Sequence, residues 1–140
     1  MKSRHLVFLG PPASGKGTQG LRLAKENHLA YLSTGALLRG ALRDDTELGQ
    51  EARFFLDRGE YVPDKIMIPM VLKWVGEQGD GWLLDGFPRT VPQVEALDSL
   101  LEVKPLAIIL HVSDDELRRR VSCRLECVEC HRVAREGEGH

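Results

Sequence analysis

Short apolar runs alternate with longer helix-favouring segments along this chain. The apolar runs predict four strands, at residues 5–9, 29–33, 82–84 and 106–112. The segments between them predict five helices, at residues 16–28, 34–43, 46–58, 64–77 and 91–101. Apolar strands without polar alternation are typical of a parallel sheet, because helices cover both of its faces. The pattern therefore predicts an α/β fold in which helical crossovers join parallel strands.

Local signals mark where several of these helices begin and end. Ser33 precedes the second helix and predicts an N-terminal cap. The stretch RGEYVPD, with Gly59 and Pro63, separates the third helix from the fourth. The chain shows neither an internal repeat nor a low-complexity segment, so its 140 residues predict one domain.

Composition and charge narrow the classes of function. The chain has 19 Lys and Arg against 21 Asp and Glu, a formal net charge of -2, so global charge favours neither a nucleic-acid nor a membrane surface. No apolar run approaches the ~20 residues of a membrane span. The N-terminal MKSRH leads into a run too short for a signal peptide. We therefore expect a cytoplasmic protein that binds neither nucleic acid nor membrane.

The stretch LVFLGPPASGKGTQ, residues 6–19, contains a glycine-rich turn and one lysine after an apolar strand. Gly10, four further residues, Gly15 and Lys16 match the spacing of a phosphate-binding loop. In such a loop, backbone N–H groups and the N-terminus of the next helix surround a polyphosphate, and the lysine supplies a full positive charge. Taken alone, the stretch could also be a turn that merely connects a strand to a helix.

The residues after the loop lysine bear on magnesium. A serine or threonine usually follows that lysine and ligates Mg²⁺, whereas this chain has Gly17 and then Thr18. We expect the nucleotide phosphates and water to hold Mg²⁺, with Asp85 in the outer shell, because this ion gives up its water ligands reluctantly. The simpler interpretation of Asp85 is that it caps a turn after the strand at 82–84.

Four motifs stand in the order and at the approximate spacings of the adenylate kinases: GPPASGKGTQ, STGALLR, LDRGEYVPD and LLDGFPRTVPQ. The chain resembles this family from residue 5 to about residue 130. The resemblance implies a P-loop NTPase-like sheet and transfer of the terminal phosphoryl group of ATP to AMP, with Mg²⁺, to give two ADP. It also implies a core within residues 1–140, which includes an AMP-binding helical insertion at 33–62, and a lid that starts at 125–140.

The resemblance assigns site residues position by position. It implies that the ATP phosphates are bound by Ala13, Ser14, Gly15, Lys16, Gly17, Thr18, Arg120 and Arg124. It implies that AMP is bound by Thr34, Arg39, Glu60, Tyr61, Val62, Gly86, Phe87, Pro88, Arg89 and Gln93. The implied catalytic residues are Lys16, Arg89, Arg120 and Arg124. Arg39 and Arg89 would meet the AMP phosphate, and Gln93 would recognise the adenine edge; Arg39, Arg124 and Gln93 could instead be ordinary surface residues.

The implied reaction agrees with these residue types. Its acceptor is already an anionic phosphate oxygen, so no general base is required, and catalysis depends on positioning and on cations. Arginine suits phosphate because its guanidinium group forms two parallel hydrogen bonds. The candidate cations are Lys16, Arg39, Arg89, Arg120 and Arg124.

Three positions depart from the family pattern. Ala13 stands where glycine is common, and a positive φ there would cost about 1 kcal/mol. Ala36 replaces an acidic residue often found after STG, which weakens the case for a further water-mediated Mg²⁺ contact. Leu125 stands where a second arginine is common, which leaves one cation fewer at the lid entrance.

Three cysteines, Cys123, Cys127 and Cys130, lie within eight positions of one another. This spacing suits a reducing compartment and a metal pair better than a disulfide framework. Cys127 and Cys130 form a CxxC pair, and related lids hold structural zinc with such a pair and two distal ligands. His131 and His140 could contribute here. Two reduced surface thiols are an equally good interpretation.

Two further classes of function stay open. One is a UMP or CMP kinase; Gln93 and the cysteine pair favour AMP over these. The other is a catalytically silent fragment that binds a nucleotide or zinc.

The matched family pattern continues beyond the CxxC pair, whereas this sequence ends in VAREGEGH. We therefore expect weak or absent kinase activity, residual ATP binding, and self-association through an uncovered edge of LAIILHV. A complete chain would be expected to be monomeric.

Overall fold

The computed structural model describes residues 4–79 and 81–122, and the backbone alone of residues 124–126 and 133–135. Its main elements are β1 (His5–Leu9), α1 (Lys16–Glu26), β2 (Ala30–Ser33), α2 (Thr34–Arg43), α3 (Glu47–Leu56), α4 (Asp64–Glu77), β3 (Trp82–Asp85), α5 (Val91–Leu100), β4 (Leu106–Ile109) and α6 (Asp114–Ser122). Two short strands, β5 (Arg124–Glu126) and β6 (Val133–Arg135), pair antiparallel outside the main sheet.

The main sheet has the strand order β2-β3-β1-β4, and all of its pairings are parallel. The predicted α/β fold with a parallel sheet is therefore confirmed. The connection from β1 leads to β2 at one edge of the sheet, and the connection from β3 leads to β4 at the opposite edge. Ligands of open α/β sheets bind at the carboxyl ends of strands where the crossovers diverge, which here means the ends of β1 and β3.

Adjacent residues of the central strands face opposite sides of the sheet. Val7 and Leu84 belong to a buried cluster with α4 and α5, which cover one face. Phe8 and Leu83 belong to a second cluster, with Ala24 of α1, on the other face. Helices therefore cover both faces of the sheet centre, as expected of strands without polar alternation.

Helix α1 packs closely against its face of the sheet because Gly20 has no side chain. A Cβ atom at Gly20 would lie 3.2 Å from the ring of Phe8 and 3.3 Å from Leu83. The close approach of α1 holds its N-terminus, with Lys16, beside the carboxyl ends of β1 and β3.

Several element bounds differ from the predicted ones. The strand predicted at 106–112 ends at Ile109, and the helix predicted at 46–58 is shorter at both ends, as Glu47–Leu56. Ser33 caps α2 as predicted, its side chain accepting a hydrogen bond from Ala36 N at 3.1 Å. Helix α6 was absent from the predicted elements. Its signal is the acidic first turn and basic last turn, which complement the helix dipole.

Strand β4 at the sheet edge is poorly covered within the part of the chain that the structure describes. Leu106 and Ile109 are 60% and 56% exposed. The expectation of an uncovered edge at LAIILHV is therefore confirmed for these residues, and coverage of both faces holds only for the inner strands. Self-association through this edge stays a prediction.

Among the described residues, no helix is both long and apolar enough to cross a membrane.

Candidate active site

The predicted phosphate loop connects β1 to α1 at the carboxyl end of the central strand. Gly15 stands at the N-cap of α1 with a φ of 91°, a left-handed conformation that suits glycine. Gly15 has no side chain that could cap the first N–H groups of α1. An anion can therefore approach these N–H groups without displacing a cap.

Ser14 lies inside this loop with its side chain buried. Its Oγ has no hydrogen-bond partner among the described residues. A Cβ atom at Gly10 would lie 2.8 Å from that Oγ, so the loop closes this tightly only because residue 10 is glycine. A buried hydroxyl without a partner is costly, and a phosphate oxygen is one acceptor that would satisfy it.

Ala13 adopts the left-handed conformation, with a φ of 65°. The predicted condition for strain at this position is therefore met, because an L-residue with a side chain pays about 1 kcal/mol or more there.

We expect Ala13→Gly to raise the free energy of unfolding by about 0.5–1 kcal/mol, because glycine adopts this φ without strain. Urea unfolding followed by circular dichroism measures the change. Ala36→Gly, on the exposed first turn of α2, is the matched control and should lower stability by about the same amount. Equal losses from both substitutions would contradict strain at Ala13.

Lys16 and Asp85 form an ion pair across the ends of β1 and β3. Lys16 Nζ lies 3.2 Å from Asp85 Oδ1, and the Asp85 side chain is 6% exposed. No donor among the described residues is aligned for a hydrogen bond to Oδ1, so the charge contact alone holds that oxygen. The predicted loop lysine and the predicted magnesium-shell carboxylate are therefore neighbours.

Tyr31 of β2 holds the other oxygen of this carboxylate. Its hydroxyl donates a hydrogen bond to Asp85 Oδ2 at 2.7 Å. Burial, and then the hydrogen bond and charge of Asp85, raise the pKa of the Tyr31 phenol, so it remains a donor at neutral pH. Sequence reasoning did not single out Tyr31, because nothing local shows that β2 and β3 are neighbours.

Arg120 reaches the phosphate loop from α6. Its Nη1 donates a hydrogen bond to the carbonyl oxygen of Ala13 at 3.3 Å. This contact places a guanidinium group beside the loop, where the resemblance predicted one. Arg124 lies in β5, and its side chain is outside the described residues.

A cavity of about 790 Å³ lies among α2, α4, the start of α5 and the segment that follows β3. Its lining includes Thr34, Glu60, Tyr61, Val62, Gly86, Phe87, Arg89 and Gln93. These are all the predicted AMP residues except Arg39 and Pro88. The sequence did not assign to this site the other lining residues, Leu38, Leu56, Gly59, Asp64, Met67 and Thr90. The cavity therefore gathers residues from distant motifs into one wall.

Arg89 lies against the backbone of Gly86 in the wall of this cavity. A Cβ atom at Gly86 would be 2.8 Å from Arg89 Nη2 and 2.9 Å from Thr34 Oγ1. The absence of a side chain at Gly86 therefore makes room for the guanidinium group beside Thr34. Arg39 differs, since its guanidinium lies over Gly35 of its own helix and is not part of the cavity wall.

Gln93 is buried in a polar network rather than exposed on its helix. Its Oε1 accepts a hydrogen bond from Arg89 N at 2.7 Å, and its Nε2 donates to Asp64 Oδ1 at 2.7 Å. Thr90 Oγ1 donates to Asp64 Oδ2 at 2.9 Å. Recognition of adenine by Gln93 stays a prediction, and it would have to use the second N–H or lone pair of the amide.

The predicted zinc pair, Cys127 and Cys130, lies outside the described residues, as do Cys123, His131 and His140. Within the described part of the chain, no group of three or more His, Cys, Asp or Glu side chains could hold a metal ion. Zinc stays a prediction from the sequence.

The parallel sheet, the glycine-rich loop with its lysine and the buried carboxylate at the end of β3 define a phosphate-loop nucleotide-binding protein. The sequence matches the adenylate kinase family over residues 8–133. This chain belongs to the adenylate kinase family.

Curated relatives named adenylate kinase support this membership. Those of Synechococcus sp. (strain RCC307) and Parasynechococcus marenigrum are 45% and 47% identical to the chain over 87% and 89% of its length. The relative from Thermodesulfovibrio yellowstonii is 45% identical over 89% of the chain. The matched segments cover 69%, 70% and 61% of these three relatives, in that order.

Proposed function

We propose that this chain provides the nucleotide-binding core of an ATP:AMP phosphotransferase, which converts ATP and AMP into two ADP. One observation carries the proposal. The segment 85–89 connects the phosphate loop with the cavity lined by Arg89, because Asp85 pairs with the loop lysine at one end of the segment and Arg89 lines the cavity at the other. A donor phosphate at the loop and an acceptor phosphate at Arg89 would be held near the two ends of one short stretch of chain.

The residues of this chain would act by binding and positioning. Lys16 and the N–H groups at the start of α1 would bind the ATP phosphates, and Arg120 would stabilise the transferred group. Arg89 would hold the acceptor phosphate through two parallel hydrogen bonds. No described side chain has to remove a proton, because the acceptor oxygen is already anionic.

The site also fits the magnesium ion that the family is expected to use with ATP. Asp85 offers a buried carboxylate oxygen, Oδ1, which the Lys16 ammonium group contacts without an aligned hydrogen bond, and Mg²⁺ prefers oxygen ligands and retains water. Asp85 would therefore hold the ion through water, with Thr18 near the loop as a further hydroxyl. When bound, Mg²⁺ neutralises phosphate charge and orients the phosphates.

The test is a coupled assay for ADP formed from ATP with AMP, UMP or CMP as acceptor. The proposal predicts turnover that is fastest with AMP, because the names of the relatives and the amide of Gln93 in the cavity both favour adenine. Faster turnover with UMP or CMP than with AMP would identify that nucleotide as the acceptor, in place of AMP. ATP binding without turnover of any acceptor would match the weak or absent activity expected from the sequence, and would support the silent-fragment alternative.

A further inference from the structure

Glu116 of α6 accepts hydrogen bonds from two arginines. Arg120 Nε donates to Oε1 at 2.8 Å. Arg119 Nε donates to Oε2 at 3.0 Å, and Arg119 Nη2 donates to Oε1 at 2.6 Å. The hydrogen bonds from Arg119, and then from Arg120, lower the pKa of Glu116 to about 2, so this carboxylate is ionised at neutral pH.

The two edges of the Arg120 guanidinium group have different partners. Glu116 holds the Nε edge, while Nη1 donates to the carbonyl oxygen of Ala13 in the phosphate loop. The same Nη1 lies 4.0 Å from the position that a Cβ atom of Gly15 would occupy. The guanidinium group therefore bridges α6 and the loop, with the Glu116 carboxylate on one edge and the Ala13 carbonyl on the other.

An ordinary surface ion pair on a helix is the alternative interpretation. Arg22 and Glu26 of α1 form such a pair at 3.0 Å, with side chains 73% and 58% exposed. Pairs of this kind contribute little. Arg120 and Glu116 have the same i,i+4 spacing but are 27% and 32% exposed, and Arg120 also contacts a segment 107 residues away in sequence.

We propose that Glu116 is a positioning residue for the ATP site, which directs Arg120 at the phosphate loop. The inference rests on the proposed function, since it requires ATP phosphates at that loop. Glu116 itself would not touch the nucleotide. The arginine side chain is long and flexible. It loses less conformational entropy on binding a phosphate when one edge of its guanidinium group is already held.

Charge and positioning make opposite predictions for the loss of Glu116. ATP is a polyanion, so removing a nearby negative charge should tighten ATP binding if charge alone mattered. Losing the carboxylate that directs Arg120 should weaken ATP binding. The sign of the change in affinity therefore separates the two effects.

The experiment measures the dissociation constant for ATP by isothermal titration calorimetry in EDTA, which prevents turnover. We expect Glu116→Ala to weaken ATP binding by about tenfold, because a misdirected cation loses its contact. Glu116→Gln should fall between Glu116→Ala and the unchanged chain, because its amide oxygen still accepts from Arg120 Nε. Glu26→Ala removes the matched pair on α1 and should leave the affinity unchanged. Unchanged or tighter ATP binding by Glu116→Ala would overturn the inference.

A second background tests whether Glu116 acts through Arg120. In an Arg120→Ala chain, adding Glu116→Ala should no longer weaken ATP binding. An undiminished loss in that background would assign the effect of Glu116 to Arg119 or to helix stability, and would overturn the positioning of Arg120. Absence of ATP binding by the unchanged chain would overturn the proposed function, and the inference with it. If the unchanged chain binds ATP and the Glu116→Ala variant binds it with the same affinity, the inference is overturned and the proposed function is not.

Discussion

Replacing Lys16 with Ala is expected to lower phosphoryl transfer at least about a hundredfold, because the variant loses a preorganised cation at the developing phosphate charge. The N–H groups at the start of α1 carry partial charges and cannot replace a full one. Initial rates of ADP formation from ATP and AMP measure the loss. Lys25→Ala, an exposed lysine on the same helix, is the matched control and should turn over normally.

The ion pair with Asp85 adds a stability effect that the sequence did not predict. Lys16→Ala leaves a buried carboxylate without its cation, which we expect to lower the free energy of unfolding by up to about 3 kcal/mol. Tyr31 still donates its hydrogen bond to Asp85, so the fold should survive at low temperature.

The double variant Lys16→Ala with Asp85→Asn separates stability from catalysis. It removes the unpaired charge and should recover much of the lost stability, measured by urea unfolding. Its phosphoryl transfer should stay as low as that of Lys16→Ala. Near-normal turnover in either variant would refute the assignment of Lys16 to the phosphate loop.

Arg89→Lys is expected to raise the Michaelis constant for AMP, or to lower turnover, by about tenfold or more. A lysine ammonium group is a point charge and cannot make two parallel hydrogen bonds to one phosphate. The structure adds a geometric reason. The planar Arg89 guanidinium group lies against Gly86 beside Thr34, and a lysine ammonium group would not reproduce its shape there. Initial rates with varied AMP and saturating ATP measure both parameters.

Arg43→Lys is the control for a general loss of guanidinium, because Arg43 ends α2 in an exposed pair with Asp44. Its kinetics should match those of the unchanged chain. If Arg89→Lys also left the AMP kinetics unchanged, Arg89 would be assigned to the structure around Gln93, whose Oε1 accepts from the Arg89 backbone.

Local patterns were sufficient for the elements that depend on neighbouring residues. The glycine spacing around Lys16 predicted the turn between a strand and a helix, and the structure places Gly15 at the helix N-cap with a positive φ. The strain condition at Ala13 could be stated in advance, because a backbone dihedral is a property of one short segment. Apolar strands without alternation predicted the parallel sheet for a similar reason. A strand that is buried on both faces is apolar along its whole length, and this can be seen in each strand separately.

The sequence by itself thus determined the loop, the chain order of the four main strands and of helices α1 to α5, and the family to which the motifs belong. The tertiary structure alone decided which hydrogen bonds form between residues distant in sequence. Tyr31 and Asp85 are 54 residues apart in sequence, Asp64 and Gln93 are 29 apart, and Arg120 and Ala13 are 107 apart. Periodicity and spacing describe one element at a time, whereas these contacts depend on the lateral order of strands and on how each helix packs against the sheet.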